Sequence, residues 1–236
     1  LFKSTDIHIS GVDGAGSGEE FGEHNDMIQS SDGHLHIAYR LRNNTGLKED
    51  LRHAEYNGSN WNIETVQEGG QTGSHPSIIQ SKDGNLHITY YDNTITDLLH
   101  DEYNGVTWST GFAIVSSDNV GQHSSLIQTG DGELHVSFVN STATDLLHAI
   151  DAGVPYWSAE SVDTDGHVGY STSLIQSNDG DLHISYYKST DNDLKYATFP
   201  MQGLLRTTAG SIPFYTNGSN SLTVNLNENE STLITW

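Results

Sequence analysis

The sequence contains no cysteine, which excludes disulfides, thiolate nucleophiles and thiolate metal sites. Basic residues are scarce: 9 Lys and Arg stand against 31 Asp and Glu, a formal net charge of −22. A surface this acidic repels phosphate backbones and anionic lipid, so nucleic acid is not an expected partner. No apolar run approaches the roughly 18 residues of a membrane-spanning helix, and no membrane insertion is expected. No apolar period of 3.6 residues persists, so helices are not expected either. P-loop, dinucleotide-binding, nucleophile-elbow and HExxH patterns are all missing. The start at Leu1-Phe2-Lys3, with no signal peptide visible, reads as that of a processed mature protein. At 236 residues the chain is long enough to bury a core without covalent staples.

What is present is a repeat. Residues 26–39, 77–90, 125–138 and 173–186 align, each with an Asp-Gly pair, at Asp32, Asp83, Asp131 and Asp179, spaced by 51, 48 and 48 residues. Each repeat reads as four short strands. The first is typified by Ser77-Ile-Ile-Gln80, and Asp83-Gly84 is a tight-turn signal. The second alternates Leu86, Ile88 and Tyr90 with His87 and Thr89, the period of two that marks a strand with one more apolar face. The third runs from Asp97 to Tyr103, and the fourth opens near Trp108 and ends at Val115, with counterparts at 61–66 and 157–162. Four-stranded antiparallel units at this period predict an all-β, four-bladed β-propeller over residues 1–199.

The fourth repeat breaks at Pro200 without its Trp-led strand, while residues 6–13 align with that strand and its exit at 160–163. An N-terminal strand completing blade 4 would close the ring and remove an exposed sheet edge. The rival arrangement pairs the two orphan pieces between neighbouring chains. Residues 200–236 leave the repeat and form a C-terminal β segment with short strands at 204–209, 213–215, 221–226 and 231–236. This is either a small unit of its own or one completed by a neighbouring subunit through strand addition.

Histidine carries most of the candidate chemistry. His36, His87, His135 and His183 recur on the second strand, and His53, His100 and His148, with Tyr196 in the fourth place, on the third. A residue that every blade needs reads as structural, its ring N–H tying strands or loops together. His24, His75 and His123, with Ser171 in repeat 4, enter the first strand and are expected to ring the axis, binding a ligand, a metal or water. Acidic loops at 19–23, 116–119 and 163–167 suit Ca2+ or simply solvent; none has EF-hand spacing, and no cofactor is certain. Tyr91, Asp92, Asn93, Asn140 and Tyr187 lie in loops between second and third strands. A flat apolar face beside directional polar groups suits a sugar, although turn chemistry explains the same residues. Trp61, Trp108 and Trp157 are expected to pack blade on blade. Asn43, Asn57, Asn140, Asn217 and Asn229 head glycosylation sequons.

The run Leu182-His-Ile-Ser-Tyr-Tyr187 followed by Asp193-Leu-Lys-Tyr-Ala197, with the Trp, Val-Asp and Gly markers of the neighbouring repeats, resembles the sialidase-like or BNR-like tandem-repeat propellers of secreted bacterial and archaeal proteins. The resemblance covers residues 6–199, and the tail over 207–220 resembles segments of archaeal surface proteins. Both imply an extracellular or cell-surface setting. Sialidase chemistry needs three arginines from different blades, a tyrosine nucleophile with its glutamate, and an acid. Here Arg40, Arg42 and Arg52 share one repeat and Arg206 lies in the tail. The sialidase Asp-box is only echoed. The expected function is a non-enzymatic binding or adhesion module for a glycan, a cell-surface partner or copies of itself. A filament or surface-layer subunit joined through its terminal strands, and a degenerate glycosidase, are the alternatives.

Overall fold

The computed structural model describes residues 11–14, 19–43, 48–151, 157–200, 205–207, 210–212, 221–227 and 230–235, with side chains as far as Pro200. Among them there is no helix. Strands β1 (Glu19–Gln29), β2 (Leu35–Asn43), β3 (Glu49–Tyr56) and β4 (Trp61–Gln67) form one antiparallel sheet in chain order. The second sheet holds β5 (Ser74–Gln80), β6 (Leu86–Asp92), β7 (Asp97–Tyr103) and β8 (Phe112–Val115). The third holds β9 (Val120–Gln128), β10 (Leu134–Asn140), β11 (Asp145–Asp151) and β12 (Ser158–Asp163). The fourth has three strands, β13 (Tyr170–Gln176), β14 (Leu182–Lys188) and β15 (Asp193–Phe199). In the tail, β16 (Leu205–Thr207) pairs with β17 (Gly210–Ile212) and β18 (Ser221–Asn227) with β19 (Glu230–Thr235).

The expected strands are recovered with one local difference. In the second sheet the last strand starts at Phe112 rather than at Trp108. The fully buried Asp101 carboxylate takes hydrogen bonds from Gly111 N at 2.8 Å and Ser109 Oγ at 3.0 Å, which draws residues 109–111 out of the ladder. The strand expected over 6–13 falls largely outside the described residues; Gly11 to Gly14 are not in a strand. Inner strands β1, β5, β9 and β13 pack in succession, yet β13 and β1 are not packed together as the other pairs are. The closure expected through residues 6–13 rests on residues largely outside those described.

The core lies between the sheets. Ile28, Ala38, Leu51 and Val66 of the first meet Ile78, Ile88, Tyr90, Leu99 and Trp108 of the second. Ile79, Leu98 and Val115 of the second meet Leu126, Val136, Phe138, Leu147 and Trp157 of the third. Ile127, Leu146 and Val162 of the third meet Leu174, Leu182, Ile184, Tyr186 and Phe199 of the fourth. One face of each strand serves the preceding sheet and the alternate face the following one, as a period of two requires.

Polar links follow the same rule. Ile78 N donates to Asp26 Oδ2 at 2.9 Å, Leu126 N to Ser77 Oγ at 3.1 Å and Leu174 N to Ser125 Oγ at 3.1 Å, always from one inner strand to the one before it. In the Asp-Gly turns, Ser31 N, Lys82 N and Gly130 N each donate to a glutamine Oε1 of the next sheet (Gln80, Gln128 and Gln176) at 2.7 Å. Ring contacts complete the set: His53 on Trp108 (5.3 Å), His100 on Trp157 (5.6 Å) and His148 on Phe199 (5.1 Å). The packing role expected of Trp108 and Trp157 is thus observed.

Within each sheet the second- and third-strand histidines are wired together. His36, His87 and His135 place Nδ1 3.0 Å from Nε2 of His53, His100 and His148. In the fourth sheet His183 meets Tyr196 instead. Nε2 of His36, His87 and His183 reaches Ser30, Ser81 and Ser177 at 3.0, 3.0 and 2.7 Å, and each serine hydroxyl donates to Asp32, Asp83 or Asp179. The carboxylate takes the serine proton, so the histidine Nε2–H donates to the hydroxyl. This Asp–Ser–His order is a strut, not a nucleophile: the carboxylate holds the serine directly, and Ser30 and Ser81 are buried.

Glycines enforce the close approach of neighbouring sheets. Gly121 has φ 111°, and a Cβ there would stand 2.7 Å from Leu98 Cα. Gly121→Ala is expected to lower unfolding free energy by about 1–3 kcal/mol, the scale of local backbone strain, with the clash adding to it; urea titration measures this.

Burial pushes His100 down to about 3 and His135 down to about 4. Unfolded imidazoles take a proton near their ordinary value, whereas these folded ones do not, so stability falls as pH drops from about 6.5 towards those lowered values. Urea midpoints measured between about pH 7 and pH 5 should fall with pH, and the slope should be shallower in His100→Gln.

Candidate functional site

Each inner strand begins with a kink. Register shifts fall between Phe21 and Asn25, Ser74 and Ser77, and Tyr170 and Ser173, and β9 breaks register with β10 at the same place. A bulge of this kind re-aims a side chain out of the alternating pattern. The residues at the kink carry left-handed backbone: His75 at φ 51°, His123 at φ 56° and Ser171 at φ 52°. Non-glycine residues adopt this conformation rarely, and strain of this sort concentrates at binding sites.

The kinks bring His24, His75 and His123 together. His24 stacks on His75 with centroids 4.1 Å apart, His75 lies 4.3 Å from His123, and His123 meets the edge of Tyr170 at 5.7 Å. With Glu23, Asn25, Pro76, Ser124, Ser171 and Thr172 they line a cleft of about 310 Å³ to which all four large sheets contribute. Burial holds all three rings below the ordinary imidazole value, His75 at about 3, with neighbouring ring charges adding to the effect at His75 and His123. They are neutral at physiological pH. His75 N donates to His24 Nδ1 at 3.3 Å. Ser124 Oγ donates to the His75 carbonyl at 2.8 Å and Thr172 Oγ1 to the His123 carbonyl at 3.2 Å, locking each kink to the next sheet.

The grouping expected for these histidines is therefore present, but the arrangement does not favour a metal. His24 and His75 are stacked, which sets their nitrogen lone pairs side by side instead of at one point. Among the described residues no group of three His, Cys, Asp or Glu side chains could hold an ion. The acidic loops expected to suit Ca2+ engage groups of this chain: Glu23 with Arg40, Asp118 Oδ2 with Asn140, Asp163 Oδ2 with the Tyr186 hydroxyl, and Asp165 with Lys188 Nζ at 2.8 Å.

The other expected ligand residues serve as loop clasps. Tyr91, only 3% exposed, donates to Asn119 Oδ1 at 2.8 Å. Asp92 Oδ1 caps Thr94 N at 2.7 Å, and Asn93 donates to Gln71 O at 2.7 Å in the link between the first two sheets, to Ser74 Oγ of its own sheet at 3.2 Å and to Glu49 Oε2 of the preceding sheet at 3.4 Å. Asn140 is buried, its Oδ1 accepting from Thr142 N and Ala143 N at 3.0 Å and its Nδ2 donating to Asp118 at 3.3 Å. The turn chemistry of these residues is what the structure uses, and they do not form an open face with the cleft. Tyr187 stays exposed, its hydroxyl on Asn192 at 2.7 Å. Of the sequon asparagines, Asn57 is exposed on a turn, Asn43 is half-buried at the end of β2 and Asn140 is buried, while Asn217 and Asn229 lie outside the described residues.

Arg40, Arg42 and Arg52 grip acids of this chain. Arg40 meets Glu23 and, at 3.5 Å, Glu49; Arg42 lies 3.6 Å from Glu49; and Arg52 lies 3.6 Å from Asp13. What sequence reasoning missed is the backbone kink, although a signal existed: Gly22, Gly73, Gly121 and Gly169 each stand two residues before His24, His75, His123 and Ser171.

No family model matches the sequence, and no curated protein matches it. Solved structures do. An alpha-L-arabinanase of Penicillium chrysogenum, complexed with arabinobiose, superposes with a TM-score of 0.58 at 14% identity over 74% of this chain and 61% of its own. A Hadza microbial sialidase gives 0.55 at 14% identity, over 76% of this chain and 44% of its own. The Aleuria aurantia lectin, in complex with alpha-methyl-L-fucoside, gives 0.53 at 16% identity, over 72% and 54%. The chain has a β-propeller-like fold. It spans between 44% and 61% of the length of these three proteins. At such identities the likeness extends to the fold alone.

Proposed function

We propose that this chain is a non-enzymatic, extracellular or cell-surface propeller module, with residues 1–199 as the propeller and 200–236 as a separate β segment, that binds glycan in the cleft lined by His24, His75 and His123. The observation that carries this reading is the kink. Repeat-equivalent residues are held in strained backbone so that neutral imidazoles and Pro76 present flat apolar faces to one polar cleft. Asn25, Ser124, Ser171 and Thr172 add directional hydrogen-bonding groups around those faces, the combination that small-molecule recognition uses. Lectins that bind a fucoside share the fold. So do an arabinanase and a sialidase, but glycoside hydrolysis, outside the arginine- and tyrosine-dependent sialidases, calls for a pair of carboxyl groups. The cleft has one, Glu23, and Arg40 holds it. Acidic composition and resemblance to secreted repeat proteins support the extracellular setting.

A glycan array followed by titration calorimetry tests the proposal. Binding to at least one glycan class is expected, weakened about tenfold or more in His75→Ala and in Ser171→Trp, which fills the cleft, with no release of reducing sugar. Absence of any glycan binding, or binding indifferent to both substitutions, would overturn it.

A further inference from the structure

The three sheet-to-sheet contacts repeat one set of groups, and they leave one half of that set unused at each end of the arc. On the fourth sheet, Ile175, Leu194 and Tyr196 occupy the places that face a following sheet. Leu194 is 83% exposed, whereas its equivalents Leu51, Leu98 and Leu146 are all 0% exposed. Tyr196 is 62% exposed where His53, His100 and His148 are buried against the next sheet's aromatic ring. Tyr187, in the place of the buried Tyr91, is exposed for the same reason. On the first sheet, Met27 faces a preceding sheet and is 58% exposed, against 1%, 3% and 2% for Ile78, Leu126 and Leu174. Beside it an apolar hollow of about 190 Å³ lies open at Phe21, Ile37 and Tyr39.

The two faces are complementary by construction. Ser173 stands where Ser77 and Ser125 accept the next inner strand's N–H, and Met27, whose N–H turns back on the exposed Asp26 Oδ1 at 2.9 Å, stands where such an N–H comes from. Gln29 stands where Gln80, Gln128 and Gln176 receive the preceding turn, and Asn178 is the turn residue left to donate. Trp61 is the counterpart of the tryptophans that cover His53 and His100. Asp13 takes the Tyr39 hydroxyl at 2.7 Å as Asp163 of the third sheet takes that of Tyr186 at 2.6 Å, so the leading face of the first sheet already carries the exit of a preceding blade's strand.

We propose that these faces are a head-to-tail interface: the first sheet of a second copy of this chain docks on the fourth sheet of the first and reproduces the internal contact. The occupant is a second copy because, among the described residues, β13 and β1 are not packed together as the other inner-strand pairs are, while each copy carries both halves of the set. The contact is heterologous, so it extends into a chain of subunits or closes into a ring according to the rotation per subunit. A net charge of −22 on each copy opposes association, and salt that screens it favours the assembly.

Light scattering on the full chain, with Leu194→Asp and Met27→Asp variants, tests this. Both residues are exposed, and circular dichroism checks that the variants fold. The wild-type mass should rise above the 25.8 kDa of one chain with protein concentration and with salt. Each variant alone should stay at the mass of one chain. An equimolar mixture of the two should give a species of two chains and nothing larger, because only one intact pair of faces remains between them. Wild type at the mass of one chain under all conditions would overturn the proposal and place the contact within a single chain. Assemblies that survive in both variants would overturn it in favour of another surface, the tail first.

Discussion

One constraint governs the molecule: each sheet must be covered by the next. A sheet of four short strands has too little apolar area to stand by itself. Here both faces of the second and third sheets are apolar and are buried against neighbours, through cores centred on Leu51, Leu98 and Leu146. The interlock between inner strands depends on this contact, as do the clasp between loops and the cleft. Gly73 and Gly121 sit at the same places because a side chain there would strike the backbone of Leu51 or Leu98.

The polar interior obeys a second requirement, that every buried ring nitrogen have a partner. The pairs His36–His53, His87–His100 and His135–His148 meet it from strand to strand at 3.0 Å; the exception is His135 Nε2, which is buried 3.8 Å from Glu133 Oε2 without a hydrogen bond. In the first and third sheets the run continues to Glu64 at 3.0 Å and Glu160 at 3.3 Å. The hydrogen bond from His53 holds Glu64 below the ordinary carboxylate range. The cleft histidines differ in kind. They pack ring against ring, and at His75 and His123 left-handed backbone aims the ring into the cleft. The same residue type is thus a strut at one position of the repeat and a ligand-facing group at another.

Much of this was legible. The turn at Asp83-Gly84, the alternation from Leu86 to Tyr90 and the recurrence of His87 and His100 specify strands and structural histidines, because each depends on neighbours a few residues away. The loop residues were less legible. Tyr91, Asp92, Asn93 and Asn140 have the composition of a sugar site, yet Asp92 and Asn140 cap their own turns, and Tyr91 and Asn93 bind Asn119 and Gln71 in the links between neighbouring sheets. Composition alone does not separate a polar group that faces solvent from one that satisfies a backbone N–H. The late start of β8 was equally hidden, since it depends on a buried Asp101 drawing in Ser109 and Gly111 from the next strand.

The sequence by itself determined the repeat, the strands and the face on which each side chain lies, because period-two alternation and Asp-Gly turns are local properties. Only the tertiary structure decided which of those faces are covered. Leu194 and Leu146 occupy the same place in their repeats, and one is exposed while the other is buried. The difference lies in whether a following sheet is there, a relation between distant segments that no local pattern encodes. The gathering of His24, His75 and His123 into one cleft is of the same kind, for residues about fifty apart in the chain meet only because the sheets stack around them.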